Sequence, residues 1–262
     1  MRPLVMGVLN VTPDSFSDGG LYLDPDRAIE RGLAMAAEGA DVVDVGGESS
    51  RPGAEPVSEV EEKRRVLPVI EGLAPHVRVS VDTVKADVAE AAVAAGATLI
   101  NDISATLWPV AASTGAGWVA MHMQGTPPTM QDDPRYDDVV AEVRSFVLGR
   151  ACQAADAGVG EVWVDPGIGF GKTADQNLAL LRHLGELAAG NFPVVVGTSR
   201  KSFLGRLSST PAGRPDPVDR LGASLATATW AMLCGATMVR VHDVAATVHA
   251  ATLVGQTELV CS

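Results

Sequence analysis

Eight short apolar runs recur along this chain, each followed by a helix-like stretch. That alternation constrains the fold more than any other feature. The runs are Leu4–Leu9, Val42–Val45, Val77–Val81, Leu99–Ile100, Trp118–Met121, Val162–Val164, Val194–Val196 and Met238–Val241. Among the Ala-rich amphipathic stretches between them are Asp26–Glu38, Val84–Ala95, Asp138–Ala157, Asn177–Ala189 and Pro217–Leu233. The runs read as continuous Val, Ile and Leu, as expected of parallel strands buried on both faces. Gly39-Ala40, Gly96-Ala97 and Gly235-Ala236 follow helical stretches, with the glycine placed to cap the helix before the next strand. Eight such units in 262 residues predict an α/β fold, a (β/α)₈ TIM barrel spanning residues 1–262 as one domain. A doubly wound open sheet is the alternative, weakened because no GxGxxG fingerprint follows the first strand.

Charge and cysteine content narrow the function classes. A formal net charge of −12 argues against sequence-independent nucleic-acid binding, which needs a basic footprint. An anionic small substrate stays open, since a local group of cations can reverse the field inside one cleft. Cys152, Cys234 and Cys261 are odd in number and far apart, which speaks for a reducing cytoplasm rather than a disulfide framework. Leu4–Leu9 is too short for a membrane span or a secretory signal, so no membrane association is expected. No Cys/His cluster has zinc spacing.

In a (β/α)₈ barrel, chemistry sits at the C-terminal ends of the strands. Here nearly every strand ends in a chemically useful residue: Asn10, then Gly46–Gly53 (GGESSRPG), Asp82, Asn101-Asp102, His122, Asp165, Gly197–Ser202 (GTSRKS), and Arg240 with His242. Asp102 and Asp243 read equally well as helix caps. So many polar ends on one rim mark that rim as a site.

Asp82, Asn101 and Asp165 come from strands three, four and six and can converge across the barrel mouth. A carboxylate accepts two parallel N–H bonds, and an amide both donates and accepts. The set suits a flat heterocycle with an amidine-like edge, such as a pterin or a guanine. A second set is cationic: Arg51, Arg200, Lys201, Arg240 and His242. The loops after strands seven and eight are a common phosphate site of such barrels, so these residues suggest an anion. Asp165–Thr173 (DPGIGFGKT) resembles a P-loop but fails the pattern, because Pro166 stands where glycine is required. Gly167, Gly169 and Gly171 instead let the backbone approach a ligand, with Phe170 as a wall. With no GxSxG elbow and no recognisable Cys–His pair, covalent catalysis is not indicated. His76, His183 and His249 fall in helix-like stretches and read as surface residues. Met6–Gly20 (MGVLNVTPDSFSDGG) reads by itself either as a lid or as a turn whose Asp and Ser residues cap a helix.

Taken in order, GVLNVTPDSFSDGG, GADVVDVGGESSRPG, SVDT, INDIS, MHMQGTPPTMQ, DPGIGFGKT, GTSRKSFLG and VRVHDV resemble dihydropteroate synthase, the folate-pathway family targeted by sulfonamides. The likeness covers nearly the whole chain. It implies a homodimeric (β/α)₈ enzyme that joins 6-hydroxymethyl-7,8-dihydropterin diphosphate to p-aminobenzoate, releasing pyrophosphate and 7,8-dihydropteroate. It implies that Asp82, Asn101, Met121, Asp165, Lys201 and Arg240 contact the pterin. Asn10, Arg240 and His242 would contact the diphosphate, with Asn10 on the side of a Mg²⁺ ion. Ser50, Arg51, Pro52, Phe170 and Ser202 would form the p-aminobenzoate side, and Asp82, Lys201, Arg240 and His242 would carry catalysis. With the diphosphate placed beyond strands seven and eight, Asp14–Gly20 becomes a flap expected to order only with ligands present. The chain departs from the family in two places: Ser104–Gly117 is short, which predicts a truncated helix four, and Ser50 replaces a frequent Thr.

Two other readings compete. A pterin-dependent methyltransferase would share the barrel and the acidic pterin contacts but lack the NVTPDSFSDGG loop and the SRKS corner, both present here. A pterin-binding paralogue without synthase activity is supported only by the short helix four. Pyrophosphate release that depends on both substrates and Mg²⁺ separates it from a synthase.

Overall fold

The computed structural model describes residues 2–12, 24–50, 55–211 and 213–256. In chain order the elements are β1 (Leu4–Asn10), α1 (Pro25–Ala37), β2 (Val42–Gly46), α2 (Glu59–Leu73), β3 (Arg78–Asp82), α3 (Ala86–Ala94), β4 (Leu99–Asp102), α4 (Trp108–Thr114) and β5 (Gly117–Met121). They continue with α5 (Val139–Asp156), β6 (Val162–Asp165), α6 (Ala174–Arg182), α7 (Leu184–Ala188), β7 (Val195–Val196), α8 (Ser202–Leu207), α9 (Leu221–Leu233), β8 (Met238–Val241) and α10 (Val244–Gln256). The eight strands form one parallel sheet in the order β6-β5-β4-β3-β2-β1-β8-β7. A parallel bridge between Val164 and Val194, with the Val164 N–H donating to the Pro193 carbonyl at 3.0 Å, joins the two ends of that order. The result is the expected (β/α)₈ barrel.

Successive side chains of a strand point to opposite faces, and the two faces here have different jobs. Val5, Val43, Val79, Ile100, Trp118, Val164, Val196 and Val239 belong to the large cluster that packs the strands against the surrounding helices. The opposite face supplies Met6, Val42, Leu99, Val119, Trp163, Val195 and Met238, a separate buried cluster that fills the barrel at one end. Two residues further along those same inward rows stand Asp44, Asn101, Met121, Asp165, Gly197 and Arg240. The interior therefore changes from an apolar plug to a polar mouth within about 7 Å of strand.

Gly39, Gly96 and Gly235 follow α1, α3 and α9 with φ of +99°, +115° and +100°, a left-handed turn that suits glycine best. Two expected helices are interrupted. Asn177–Ala189 divides at His183 into α6 and α7, and Pro217–Arg220 forms a 3₁₀ turn ahead of α9. Helix α4 has only seven residues, as the short Ser104–Gly117 segment predicted. His76, His183 and His249 are exposed. Among the described residues, no helix is long and apolar enough to cross a membrane.

Candidate active site

The strand register puts the polar ends side by side. Asn10 pairs with Gly46, Gly46 with Asp82, and Asp82 with Asn101, while Met121 pairs with Asp165 further round. Above them opens a cleft of about 310 Å³, including its open mouth, lined by Asp82, Asn101, Met121, Asp165, Phe170, Lys201 and Arg240 together with Ile103, Gly167, Ile168 and Gly197. All six residues assigned to a pterin from the sequence thus meet in one pocket, with Phe170 beside them. Ile103, Met121, Met130 and Phe170 form an apolar cluster that supplies a wall for a flat ring.

Arg240 is the pivot of the polar floor. Its Nε donates to Asp44 Oδ2 at 2.6 Å and its Nη2 to Asp82 Oδ2 at 2.6 Å. Asn101 Nδ2 donates to the same Asp44 oxygen at 3.0 Å. Asp44 is fully buried and orients both the guanidinium and the amide from below. It is a site residue that the sequence reading missed. It sits inside the apolar run Val42–Val45, and the only signal was one carboxylate in a strand otherwise built of valine.

Burial sets the titration of the pocket. It pushes the Asp82 carboxyl up, with the charge of Asp44 adding to the rise and Arg240 opposing it. Asp165 is raised for the same first reason, against a hydrogen bond from the Gly167 N–H to Oδ1 at 2.7 Å and the nearby Lys201, Arg240 and Lys172. Lys201 is lowered to about 7 by burial and then by Arg240, with Asp165 and Asp82 pulling the other way. The Lys201 ammonium stands 3.8 Å from the centre of the Phe170 ring, a cation–π contact across the pocket.

His242 lies outside the pocket lining, just past the end of β8 and two residues beyond Arg240. Ser199 Oγ accepts from the His242 backbone N–H at 3.2 Å and lies 3.0 Å from the ring Nδ1. The hydroxyl thus holds the ring and its own backbone together at one point. Burial, with Arg200 and Arg240 nearby, lowers the imidazole to about 3, so the ring is neutral. Asn10 Oδ1 and Asp82 Oδ2 flank the space left by the missing side chain of Gly46: a Cβ there would lie 3.7 and 3.8 Å from them. Those hard oxygen donors suit Mg²⁺, which binds through one or two protein groups plus substrate phosphates and water. Among the described residues, no group of three or more His, Cys, Asp or Glu could hold a metal, so the donors do not form a resident cage.

The other expected residues divide. Ser202 starts α8, is exposed, and its carbonyl accepts from Arg214 Nη2 at 2.6 Å; it does not line the pocket. Ser50 is half-buried at the end of the β2 loop, whereas Arg51, Pro52 and the expected flap Asp14–Gly20 lie outside the described residues. Arg200, grouped from sequence with the anion-binding cations, makes a two-point ion pair with Asp243 at 2.7 and 3.2 Å. With φ of +59°, its backbone shapes the corner that presents Lys201. Asp102 closes the β4–α4 loop and does not cap the helix: it accepts from the N–H groups of Ser104, Thr106 and Leu107 and from Trp118 Nε1, while α4 begins at Leu107 with no side-chain cap.

Residues 6–242 match the family of pterin-binding enzymes. The Mycobacterium leprae dihydropteroate synthase is 49% identical over 263 residues, covering 96% of this chain and 92% of its own length. The chain belongs to the dihydropteroate synthase family. The Xanthomonas albilineans family member solved with 4-aminobenzoic acid has a TM-score of 0.88 and 47% identity, covering 96% of this chain and 92% of that one. The same bacterium's enzyme in complex with 7,8-dihydropteroate gives 0.84 and 45%, covering 96% and 92%. In this chain the polar mouth of the barrel gathers the residues described above.

Proposed function

We propose that this chain is a dihydropteroate synthase that condenses 6-hydroxymethyl-7,8-dihydropterin diphosphate with p-aminobenzoate, giving 7,8-dihydropteroate and pyrophosphate. The observation that carries the reading is the convergence of Asp82, Asn101, Asp165, Lys201 and Arg240 on one pocket in a member of this family. Asp165 accepts the amino and N3 hydrogens of the pterin edge, Asn101 and Asp82 take its N1/N8 side, and Lys201 reaches the O4/N5 side. Met121 and Arg240 flank the ring faces, and Phe170 belongs to the p-aminobenzoate side with Ser50, Arg51, Pro52 and Ser202. The His242 imidazole, the Arg240 guanidinium and Asn10 face the diphosphate end.

An aniline nitrogen is a weak nucleophile, so the demand falls on the leaving group. The methylene C–O bond breaks with its electron pair going to diphosphate, and the resulting cation is delocalised into the dihydropterin ring. The aniline nitrogen then forms the new C–N bond and releases one proton. Asp82 and Asp165 stabilise the positive ring, while Arg240 and His242 stabilise the departing anion. Mg²⁺ held at Asn10 supplies further charge neutralisation for diphosphate when bound. Growth of a folate-auxotrophic strain lacking its own synthase tests the reading: this chain restores growth, and failure of the well-expressed chain to do so counts against it.

The same reading extends to a cytoplasmic homodimer. Trp230 and Leu233 of α9 and Leu253 of α10 are exposed apolar residues on two helices that pack together, and light scattering at twice the chain mass checks the assembly.

A further inference from the structure

One buried cation lies outside the mechanism. Lys172 is 1% exposed, and all of its hydrogen-bonding partners are uncharged. Its Nζ donates to Phe170 O at 2.9 Å and Gly167 O at 3.0 Å, meets His122 Nδ1 at 3.0 Å and reaches His122 O at 3.3 Å. The three short contacts match the three protons of an ammonium group, so the arrangement fits the charged form. A charge buried without a direct ion pair is costly and is seldom kept for packing alone.

The partners identify what the charge supports. His122 follows Met121 at the end of β5, and Gly167 and Phe170 belong to the β6–α6 loop, so the lysine ties two walls of the pocket together. Gly167 also donates its N–H to Asp165 Oδ1, and the Phe170 ring carries the Lys201 ammonium. The loop crosses so tightly over β5 that a Cβ on Gly167 would lie 1.8 Å from the His122 carbonyl and 3.4 Å from Lys172 Nζ. We propose that Lys172 is a positioning residue for pterin recognition: it fixes the loop beneath Asp165 and supplies the positive charge behind that carboxylate. The inference rests on the reading of Asp165 as the pterin-edge acceptor.

The groups facing Asp165 set the expected pH behaviour. Lys201 on the β7–α8 corner and Arg240 on β8 line the pocket with it, and Lys172 is held at the Gly167 carbonyl of the loop that follows it; all three favour the carboxylate against burial. Asp82 stands across the pocket on β3. His122, lowered to about 3 by burial and by Lys172, and Tyr136, raised to about 12 by burial, remain neutral near pH 6. Lys172, lowered to about 7 by burial, carries its charge on the acid side of that value. Removing that charge raises Asp165 further, and a protonated carboxyl presents an O–H donor in place of one acceptor oxygen, which no longer matches two parallel N–H groups.

The test measures the affinity of the full chain for 6-hydroxymethyl-7,8-dihydropterin between pH 4.5 and 8 by calorimetry. Wild type is compared with Lys172→Gln, which keeps amide donors for the loop, with Lys172→Met, and with Tyr136→Phe. The last loses the bond from the Tyr136 hydroxyl to Gly171 O at 2.9 Å and changes no charge. The ligand's own titration is common to all four proteins. Both Lys172 variants should move the acid limb of binding upward by about one pH unit, weakening affinity about tenfold at the acid end, while Tyr136→Phe leaves the limb in place. If Lys172→Met does not fold, judged by circular dichroism, Lys172→Gln alone gives the reading. Equal losses at every pH, with the limb unmoved in the Lys172 variants, would overturn the proposal. Wild type that binds no pterin would instead sink the reading of Asp165.

Discussion

Asp82, Asp44 and Arg240 are linked by two 2.6 Å bonds from one guanidinium, so the pocket is organised before any ligand arrives. Asp82→Asn removes the charge that stabilises a cationic ring, and Lys201→Ala removes a donor at the other edge. Each variant is expected to lose turnover, by at least about a hundredfold, with an unchanged circular dichroism spectrum. Near wild-type rates in either would defeat the electrostatic mechanism. Gly167→Ala is a different kind of change. Its φ is +66° and the new Cβ would lie 1.8 Å from a backbone carbonyl, so the loop must move. A loss of about 3 kcal/mol or more in urea denaturation is expected, together with weaker pterin binding.

The connections between strands and helices decide where these residues stand. Asp102, fully buried at the end of β4, gathers the N–H groups of Ser104, Thr106 and Leu107 at 2.7 to 2.8 Å and so folds the loop that leads into the seven-residue α4. Asp102→Ala strands those donors and should cost about 4 kcal/mol, read as a lower urea midpoint. Because Asn101 is its neighbour, pterin affinity should fall as well. The rim positions of the proposed catalytic set were legible in the sequence because each strand stops at a polar residue. Asp44 and Lys172 were not. Asp44 lies one step inside a strand, where an apolar run conceals which alternate side chains face the barrel. Lys172 was visible only as part of a failed P-loop pattern, and its partners come from backbone carbonyls that no sequence pattern reveals. Arg200 erred the other way: its charge was plain, but its pairing with Asp243, 43 positions on, was not.

At the scale of the molecule, the barrel divides its interior between a plug for stability and a mouth for chemistry, and the mouth makes stability depend on pH. His122 and His242 are both held neutral, near 3 in the folded state against 6.5 unfolded. The unfolded chain binds their protons first, so the stability they give is full above pH 6.5 and is lost as pH falls towards 3. Asp82, raised to about 7, and Asp165, also raised, act in the opposite sense: the folded chain takes up their protons first, so stability is gained as pH falls through their folded values towards 3.8. His242→Gln removes one histidine contribution, so the fall in urea midpoint between pH 7 and pH 4.5 should be smaller than in wild type. An equal or larger fall would contradict the buried, neutral imidazole.

The eight-strand pattern was legible from the first reading because its causes are local: strand-length apolar runs, capping glycines and Ala-rich helices. What the barrel does depends on which strand ends face one another. The most direct measurement is pyrophosphate release by the purified chain with 6-hydroxymethyl-7,8-dihydropterin diphosphate, p-aminobenzoate and Mg²⁺, each omitted in turn. The account predicts that 7,8-dihydropteroate and pyrophosphate form in equal amounts only when both substrates are present. Tight pterin binding without pteroate under any of these conditions would contradict it and leave the chain a binding protein.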